Sequence, residues 1–376
     1  MFSLQIDTAR TWRGGQNQVL LTARGLRARG HRVVVVAHPN GELRTRLPAD
    51  MEVVPLAPRG EVDLPTAWRL SRVIRDLQPD VVHAHDPHGV AVAATALSIA
   101  SPPRRPALVA ARRVDFHIKS NSFSRWKYRQ VDRFITASDA IRAMLVEDGV
   151  PAERATTVHE GIDVDRVVAV EPLNVREEYW FPPHSLIVGN IAALVPHKGQ
   201  KYLIDAAAIV VREAPEARFL VLGEGELRPT LEHQVKHLHL SQHVVFAGFR
   251  TDVLAVLKGL DLFVMSSVTE GLGTSLLDAM AASRPIVATQ AGGIPEVVVD
   301  GETGMLVPPR DGGALAAAVL AMLRDESGRR RMAEAGFARV RTAFSVDRMV
   351  DATLAVYAAV AGTTRGAGTG HPPAAG

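Results

Sequence analysis

Residues 16–39, QNQVLLTARGLRARGHRVVVVAHP, hold two periodicities side by side. Val19, Leu20, Ala23 and Leu26 recur at helical spacing, and Gly30 can close that helix. The valines that follow form a continuous β-branched apolar run, as expected of a strand covered on both faces. With the apolar start of the chain before it, the stretch reads strand, helix, strand. The same grammar returns at 80–84 (DVVHA), 107–111 (ALVAA), 134–137 (FITA) and 155–159 (ATTVH). It loosens over residues 171–185, EPLNVREEYWFPPHS, where prolines and charges interrupt any period. It then restarts at LIVGNIAAL and repeats at RFLVLG, VVFAGF, LFVMSS and PIVATQ. The expected fold class is α/β: two doubly wound, Rossmann-like domains, 1–170 and 186–344, joined by a linker at 171–185 and facing across a cleft. In such sheets ligands bind outside the C-terminal strand ends.

Composition sets outer limits. A chain of 376 residues exceeds the usual single core, so two domains are the default. The absence of cysteine excludes disulfides, thiolate metal sites and cysteine nucleophiles, and suits a reducing, cytoplasmic compartment. The start MFSLQIDTARTW has no basic segment ahead of an apolar one, and no apolar run approaches the roughly 20 residues of a membrane span. Residues 1–170 carry 24 Lys and Arg against 18 Asp and Glu, a charge of +6, and the remainder carries −3. The basic half suits either a polyanionic or membrane-surface partner or a set of solvated helices. Residues 363–376, small residues with Gly and Pro, read as a disordered tail.

Chemistry is expected where strands end. In TWRGGQNQV, Gly14 and Gly15 stand directly before a helix, where backbone amides can approach a phosphate or simply form a tight turn. ALVPHKGQKYLIDA delivers Lys198 to another strand-to-helix junction, and LVLGEGEL ends a strand on Gly223, Glu224 and Gly225, where glycines would permit close approach of a ligand. TEGLGTSLLDAM, residues 269–280, places Glu270 and Asp278 around the turn Gly271-Leu272-Gly273. Ser275 and Asp278 fit a capping box, but that leaves Glu270 unexplained.

Taken together, Lys198, the Gly223–Gly225 turn, the loop at Phe249, the 269–280 stretch and QAGGIPEVV follow one order and spacing. In this the chain resembles the family-4 glycosyltransferases, whose signature is an E-x7-E motif, a small-residue helix and a GG-x-P-E loop. Here these are Glu270 to Asp278, AMAASRPIV and Gly292 to Glu296, and the resemblance runs from Leu4 to about Gly362. It implies a GT-B fold, a donor site mainly in the second half, an acceptor side in the first, and a helix at 345–362 crossing back to the first. It also implies that Asp278 binds ribose hydroxyls, Glu270 contacts the donor sugar, amides near Gly273 and Thr274 face phosphate or sugar, and Phe249 and Arg250 flank the base. Lys198 would face the diphosphate. No cofactor or metal is implied.

Three features depart from that pattern or stand outside it. Asp278 is one methylene shorter than the family's usual Glu, and Ala193 stands where relatives often carry an arginine. Arg112 and Arg113 are the candidates to supply that charge or to bind an anionic acceptor, with His85 on the acceptor side. His83, His85 and His88 also invite a zinc reading, although no distant ligand cluster completes a set. Residues 119–134 interleave Lys and Arg with Phe123, Trp126 and Tyr128, which fits a membrane surface, a nucleic-acid platform or a helix with its aromatics packed inward, the last preferred over nucleic acid.

The resulting expectation is a retaining glycosyltransferase using a nucleoside-diphosphate sugar and a saccharide or lipid-linked saccharide acceptor of cell-envelope or exopolysaccharide type. It would be cytoplasmic, with weak contact at the inner membrane surface. A non-catalytic nucleotide-sugar-binding protein, and an epimerase or phosphorylase on the same architecture, are the alternatives.

Overall fold

A computed structural model describes residues 1–100, 104–118 and 121–366, with 362–366 as backbone alone. The chain divides into two compact units: Met1–Gly161 with the helix Val346–Gly366, and Ile162–Ser345.

The first unit is built on seven parallel strands: β1 (Phe2–Asp7), β2 (Arg32–Ala37), β3 (Glu52–Pro55), β4 (Val81–Ala84), β5 (Ala107–Arg112), β6 (Arg133–Thr136) and β7 (Ala155–Thr157). Their order is β3-β2-β1-β4-β5-β6-β7. The second unit has six: β8 (Leu186–Ile191), β9 (Ala217–Leu222), β10 (Val244–Gly248), β11 (Leu262–Met265), β12 (Ile286–Thr289) and β13 (Met305–Val307), in the order β10-β9-β8-β11-β12-β13. All are parallel. Each sheet grows outward from its first strand on one side and then on the other. The strand order therefore reverses between β1 and β4, and again between β8 and β11.

The periodicity of residues 16–39 maps directly onto this arrangement. The helix Gly14–Ala28 buries Val19, Leu20, Ala23 and Leu26, and Val33 to Val36 are buried on both faces of β2. Two apolar clusters sandwich the first sheet: one holds Leu4, Ile6 and Val82, the other Val19, Val35 and Val109. The second cluster is completed by Met349, Val350, Val356, Tyr357 and Val360 from the helix Val346–Gly366. That helix lies against Gly14–Ala28 at Gly25, where an added Cβ would stand 2.4 Å from Val350 Cγ2. Arg29 fastens the contact through Asp347 at 2.9 Å and Asp351 at 2.7 Å.

The boundaries differ from the sequence reading. The first unit ends at Gly161 rather than 170, because Ile162 donates its amide to Phe344 and bridges Ser345 within the second unit. Residues 171–185 are not a free linker. Val175–Glu178 form a helical turn, Leu173 donates to the Ala255 carbonyl, and Arg176 pairs with Asp261 at 2.5 Å. The stretch lacks a period because it is a strap tied to the second unit at separate points, Leu173, Arg176, Glu178 and Tyr179. The last helix continues to Gly366, so the tail expected from 363 begins as helical backbone, and 367–376 lie outside the described residues.

Gly25→Val should force Val350 aside and destabilise the first unit by about 1–3 kcal/mol. Chemical denaturation compared with the parent reads this, and equal stability of Gly25→Val and the parent would show that the helix contact is loose.

Candidate active site

In the second unit the loops after β8 and β11 meet at the reversal of strand order. Lys198 comes from a short turn, Pro196–Lys198, just before the helix Gln200–Glu213. Its Nζ donates to Glu270 Oε2 at 2.5 Å, and Ser267 Oγ donates to the same oxygen at 3.1 Å. Ser266 Oγ binds the Lys198 carbonyl at 3.1 Å, while Thr289 Oγ1 binds the Ser267 carbonyl at 2.6 Å. The backbone of Glu270 is held as firmly: Gly293 N donates to its carbonyl at 3.1 Å. Gly292, at φ +52, leaves room for that oxygen, which would lie 1.9 Å from any Cβ there. Glu270 is thus fixed at both ends, with a carboxylate that already accepts two hydrogen bonds.

The helix Thr274–Ala281 begins behind Gly273, at φ +88, with no side-chain cap. The capping box expected of Ser275 and Asp278 does not form. The helix starts early enough to put Asp278 more than a turn inside, out of reach of the N-cap amide. No N-cap side chain bonds this end, and Leu276 N turns back to the Gly273 carbonyl at 2.9 Å, which leaves the Thr274 and Ser275 amides for another acceptor. Asp278 is half-buried, and its carboxyl has no hydrogen-bond partner among the described residues. Burial raises its pKa to about 7, opposed by the charge of Arg166.

The other predicted donor residues divide into two groups. Gly223 and Gly225 do make a close approach, but to protein backbone: their Cβ atoms would stand 2.0 Å from the Ala192 carbonyl oxygen and 2.3 Å from that of Leu194. Their small size packs the loop after β9 onto the loop after β8. Glu224 pairs with Arg228 at 2.8 Å. Leu272 is buried with Gly271 beneath the turn. Phe249 is 69% exposed at the end of β10. Arg250 is committed elsewhere, to Asp252 at 2.6 Å, Glu178 at 2.9 Å and the Tyr179 hydroxyl at 3.1 Å, and these partners raise its pKa further. It ties the 171–185 strap to the loop after β10. At Ala193 the carbonyl accepts from Gln200 Nε2 at 3.0 Å.

In the first unit the corresponding reversal gathers Gly14, Gly15, His85, Arg112 and Arg113. The helix that starts at Gly14 is entered through Gln16, whose Oε1 accepts from Arg13 N at 3.1 Å and whose amide donates to Asp7 at 3.0 Å. Arg113 Cδ lies 3.9 Å from the Cβ position of Gly15. Its Nε pairs with Glu160 at 3.0 Å and its Nη1 with His85 Nδ1 at 3.1 Å. Arg112 is buried and bonds to the Phe116 carbonyl, turned away from that role. Asp7 is raised to about 6 by burial and by the nearby Asp86 charge. The His83 and His85 rings lie 4.0 Å apart, tilted by 38°, while His88 is exposed on the helix Pro87–Ala100. Among the described residues no group of three or more potential ligands comes together. Over 119–134, Trp126 and Tyr128 pack on the first unit's core and Lys127 is buried against Glu61 at 2.7 Å, the inward arrangement; Lys119 lies outside the described residues.

Sequence reasoning did not find Ser267, Glu160, Gln5 or Tyr357. Gly292 was visible in the GG-x-P-E loop, but its role as the seat of the Glu270 carbonyl requires the fold.

Two parallel α/β units, each with its functional side chains at the reversal of strand order, define the GT-B class of glycosyltransferases. The solved structure of HepE from Anabaena in complex with UDP and glucose superposes with a TM-score of 0.83 over 96% of this chain and 100% of that one, at 22% identity. Residues 174–339 match the family described as glycosyl transferases group 1, and residues 12–166 match Glycosyltransferase Family 4. A putative glycosyltransferase, EpsD of Bacillus subtilis, is 30% identical over 305 residues, 77% of this chain and 79% of its own. Glycogen synthase of Mycobacterium tuberculosis is 31% identical over 297 residues, 76% of this chain and 70% of its own. The chain belongs to glycosyltransferase family 4.

Because folding raises the Asp278 pKa from 3.8 to about 7, the folded chain holds a proton the unfolded chain has lost between those pH values. This group therefore subtracts stability as pH rises through that window. Asp278→Asn should match the parent near pH 4 and exceed it by about 1–2 kcal/mol at pH 8. Melting temperatures across pH read the difference, and a constant offset would show that Asp278 titrates normally.

Proposed function

We propose that this glycosyltransferase moves a sugar from a nucleoside diphosphate, with retention of anomeric configuration, to a hydroxyl on a saccharide or lipid-linked saccharide of cell-envelope or exopolysaccharide type. Asp278 carries the reading. It is a desolvated carboxylate without a donor among the described residues, on a helix that opens beside Glu270. Two ribose hydroxyls would supply the donors that its ionised form lacks. The UDP and glucose bound to the structural neighbour HepE support a nucleotide donor.

In this reading Glu270 accepts hydrogen bonds from the sugar, and Lys198 moves from Glu270 to the leaving diphosphate. The bond from the anomeric carbon to phosphate oxygen breaks. The acceptor oxygen bonds to that carbon on the same face, and its proton passes to the departing phosphate. A carboxylate shared between Lys198 and Ser267 is suited to binding hydroxyls rather than to nucleophilic attack. In the first unit, Arg113 beside the first-turn amides of Gly14 and Gly15 offers an anion-facing group, a contact for an anionic acceptor. No cofactor or metal enters this scheme, in which Lys198 and backbone amides of the second unit face the diphosphate charge.

A contact with an anionic membrane surface is part of the proposal, placed on the helix Leu64–Leu77 rather than on residues 119–134. Leu64 and Trp68 are exposed there beside Arg69 and Arg72, with Arg72 stacked 5.0 Å from the Trp68 ring. Aromatic and basic groups on one helix face suit the headgroup region.

Melting curves with UDP, GDP, ADP, TDP and CMP test the donor. A nucleotide at 100 times its dissociation constant should add about 2.7 kcal/mol, and Asp278→Ala should abolish the shift. If no nucleotide raises the melting temperature, the donor reading fails. Flotation with phosphatidylcholine vesicles, with and without phosphatidylglycerol, tests the surface. The parent should float with the anionic vesicles only, and the double variant Leu64→Glu, Trp68→Glu with neither. Equal behaviour of parent and variant would remove the membrane contact.

A further inference from the structure

At the C-terminal ends of β1, β4 and β5, a set of buried side chains leaves each proton only one place to sit. An arginine can only donate, so the 3.1 Å contact from Arg113 Nη1 makes His85 Nδ1 an acceptor. His85 then carries its proton on Nε2 and donates it to Gln5 Oε1 at 2.8 Å. With its oxygen used, the Gln5 amide must donate, to Ser3 Oγ at 2.9 Å and to the Tyr357 hydroxyl at 3.1 Å. Tyr357, accepting from Gln5, directs its own hydrogen to His83 Nδ1 at 2.6 Å. His83 is therefore also an Nε2–H tautomer, and that nitrogen has no partner among the described residues.

A cavity of about 20 Å³ is lined by His83, Thr353, Glu160 and Arg113, among others. Every link lies within the first unit, yet Tyr357 and Gln5 are 352 residues apart in sequence.

We propose that Tyr357 is a positioning residue for Arg113: its hydroxyl, accepting from the Gln5 amide and donating to His83, holds Gln5 in the orientation that keeps its oxygen on His85 Nε2, so that His85 presents a bare nitrogen to the guanidinium and holds it beside Gly15. Without the tyrosine hydroxyl, Gln5 is free to turn its NH2 toward His85 Nε2. His85 would then move its proton to Nδ1, where it opposes Arg113. Placing Arg113 in the substrate site rests on the function proposed above; the proton order rests on geometry alone. The charged and titratable groups around the histidines are Asp7 after β1, Asp86 after β4, Arg113 after β5, Glu160 after β7 and Tyr357 from the last helix. Burial first, and the Arg113 charge with it, holds both rings well below the usual histidine range.

Two measurements on the full chain test this. Long-range 1H–15N spectra of the histidine rings should show His83 and His85 as neutral Nε2–H tautomers, unchanged from pH 5.5 to 8. In Tyr357→Phe, His85 should become a mixture of tautomers or begin to titrate. Inorganic pyrophosphate, followed by 31P titration in a Lys198→Ala background to silence the second unit, should bind roughly three- to tenfold more weakly when Tyr357→Phe is added. Arg113→Lys should weaken it as well. An Nδ1–H tautomer or a titrating ring in the parent would overturn the proton order. Unchanged His85 signals and pyrophosphate affinity in Tyr357→Phe would overturn the positioning role. If the ring spectra hold while no nucleotide stabilises the protein, the proposed function fails and the proton order stands.

Discussion

A parallel strand can be joined to its neighbour only by a crossover, and here the crossovers leave each central strand first to one side and then to the other. The loops on either side of that strand therefore diverge, and the strand ends between them are the one part of the sheet no helix covers. Everything chemical in each unit follows from this. Lys198 and Glu270 come from the strands flanking the β8/β11 reversal, and Asp7 and His85 from those flanking β1/β4. The central strands are buried and chiefly supply packing, with Gln5 and Asp7 on β1 and His83 on β4 among their polar exceptions.

Within that frame the second unit treats its two acidic groups in opposite ways. Glu270 is over-determined, with its carboxylate on Lys198 and Ser267 and its carbonyl seated on Gly292 and Gly293. Asp278 is left desolvated and without a donor, an arrangement that costs stability at neutral pH. A fold selected for stability alone would have capped the helix with it, as the sequence spacing invites. The structure instead withholds the cap and keeps both the carboxyl and the first-turn amides available.

The sheet architecture was legible because each strand is a short apolar run and each helix carries its own period; Val19 to Leu26 and Val33 to Val36 state their burial without help. Lys198, Glu270 and Asp278 were legible through motif spacing. The Gly223 and Gly225 positions were found for the wrong reason, since sequence shows that a glycine permits close approach but not what approaches. The partners of Arg250, Glu178 and Tyr179, were not legible because they lie about 70 positions away, in a stretch whose missing periodicity suggested a linker. The buried chain from Arg113 to Tyr357 was legible only in part: His83, His85 and Arg113 stood out, while Gln5 and Tyr357 gave no signal. Its members come from β1, β4, the segment after β5 and the last helix, joined only by the fold.

The helix Val346–Gly366 gives the first unit part of its core, through Met349, Val350, Val356, Tyr357 and Val360, although nearly two hundred residues of the second unit intervene in the chain. During synthesis the first unit therefore emerges from the ribosome with one face of its sheet partly uncovered, and stays so while the whole second unit is made. The second unit is continuous in sequence and can close as soon as it is complete. The part of the protein made first is thus the part finished last, and protection of its open apolar face in the meantime falls to whatever chaperones meet the nascent chain.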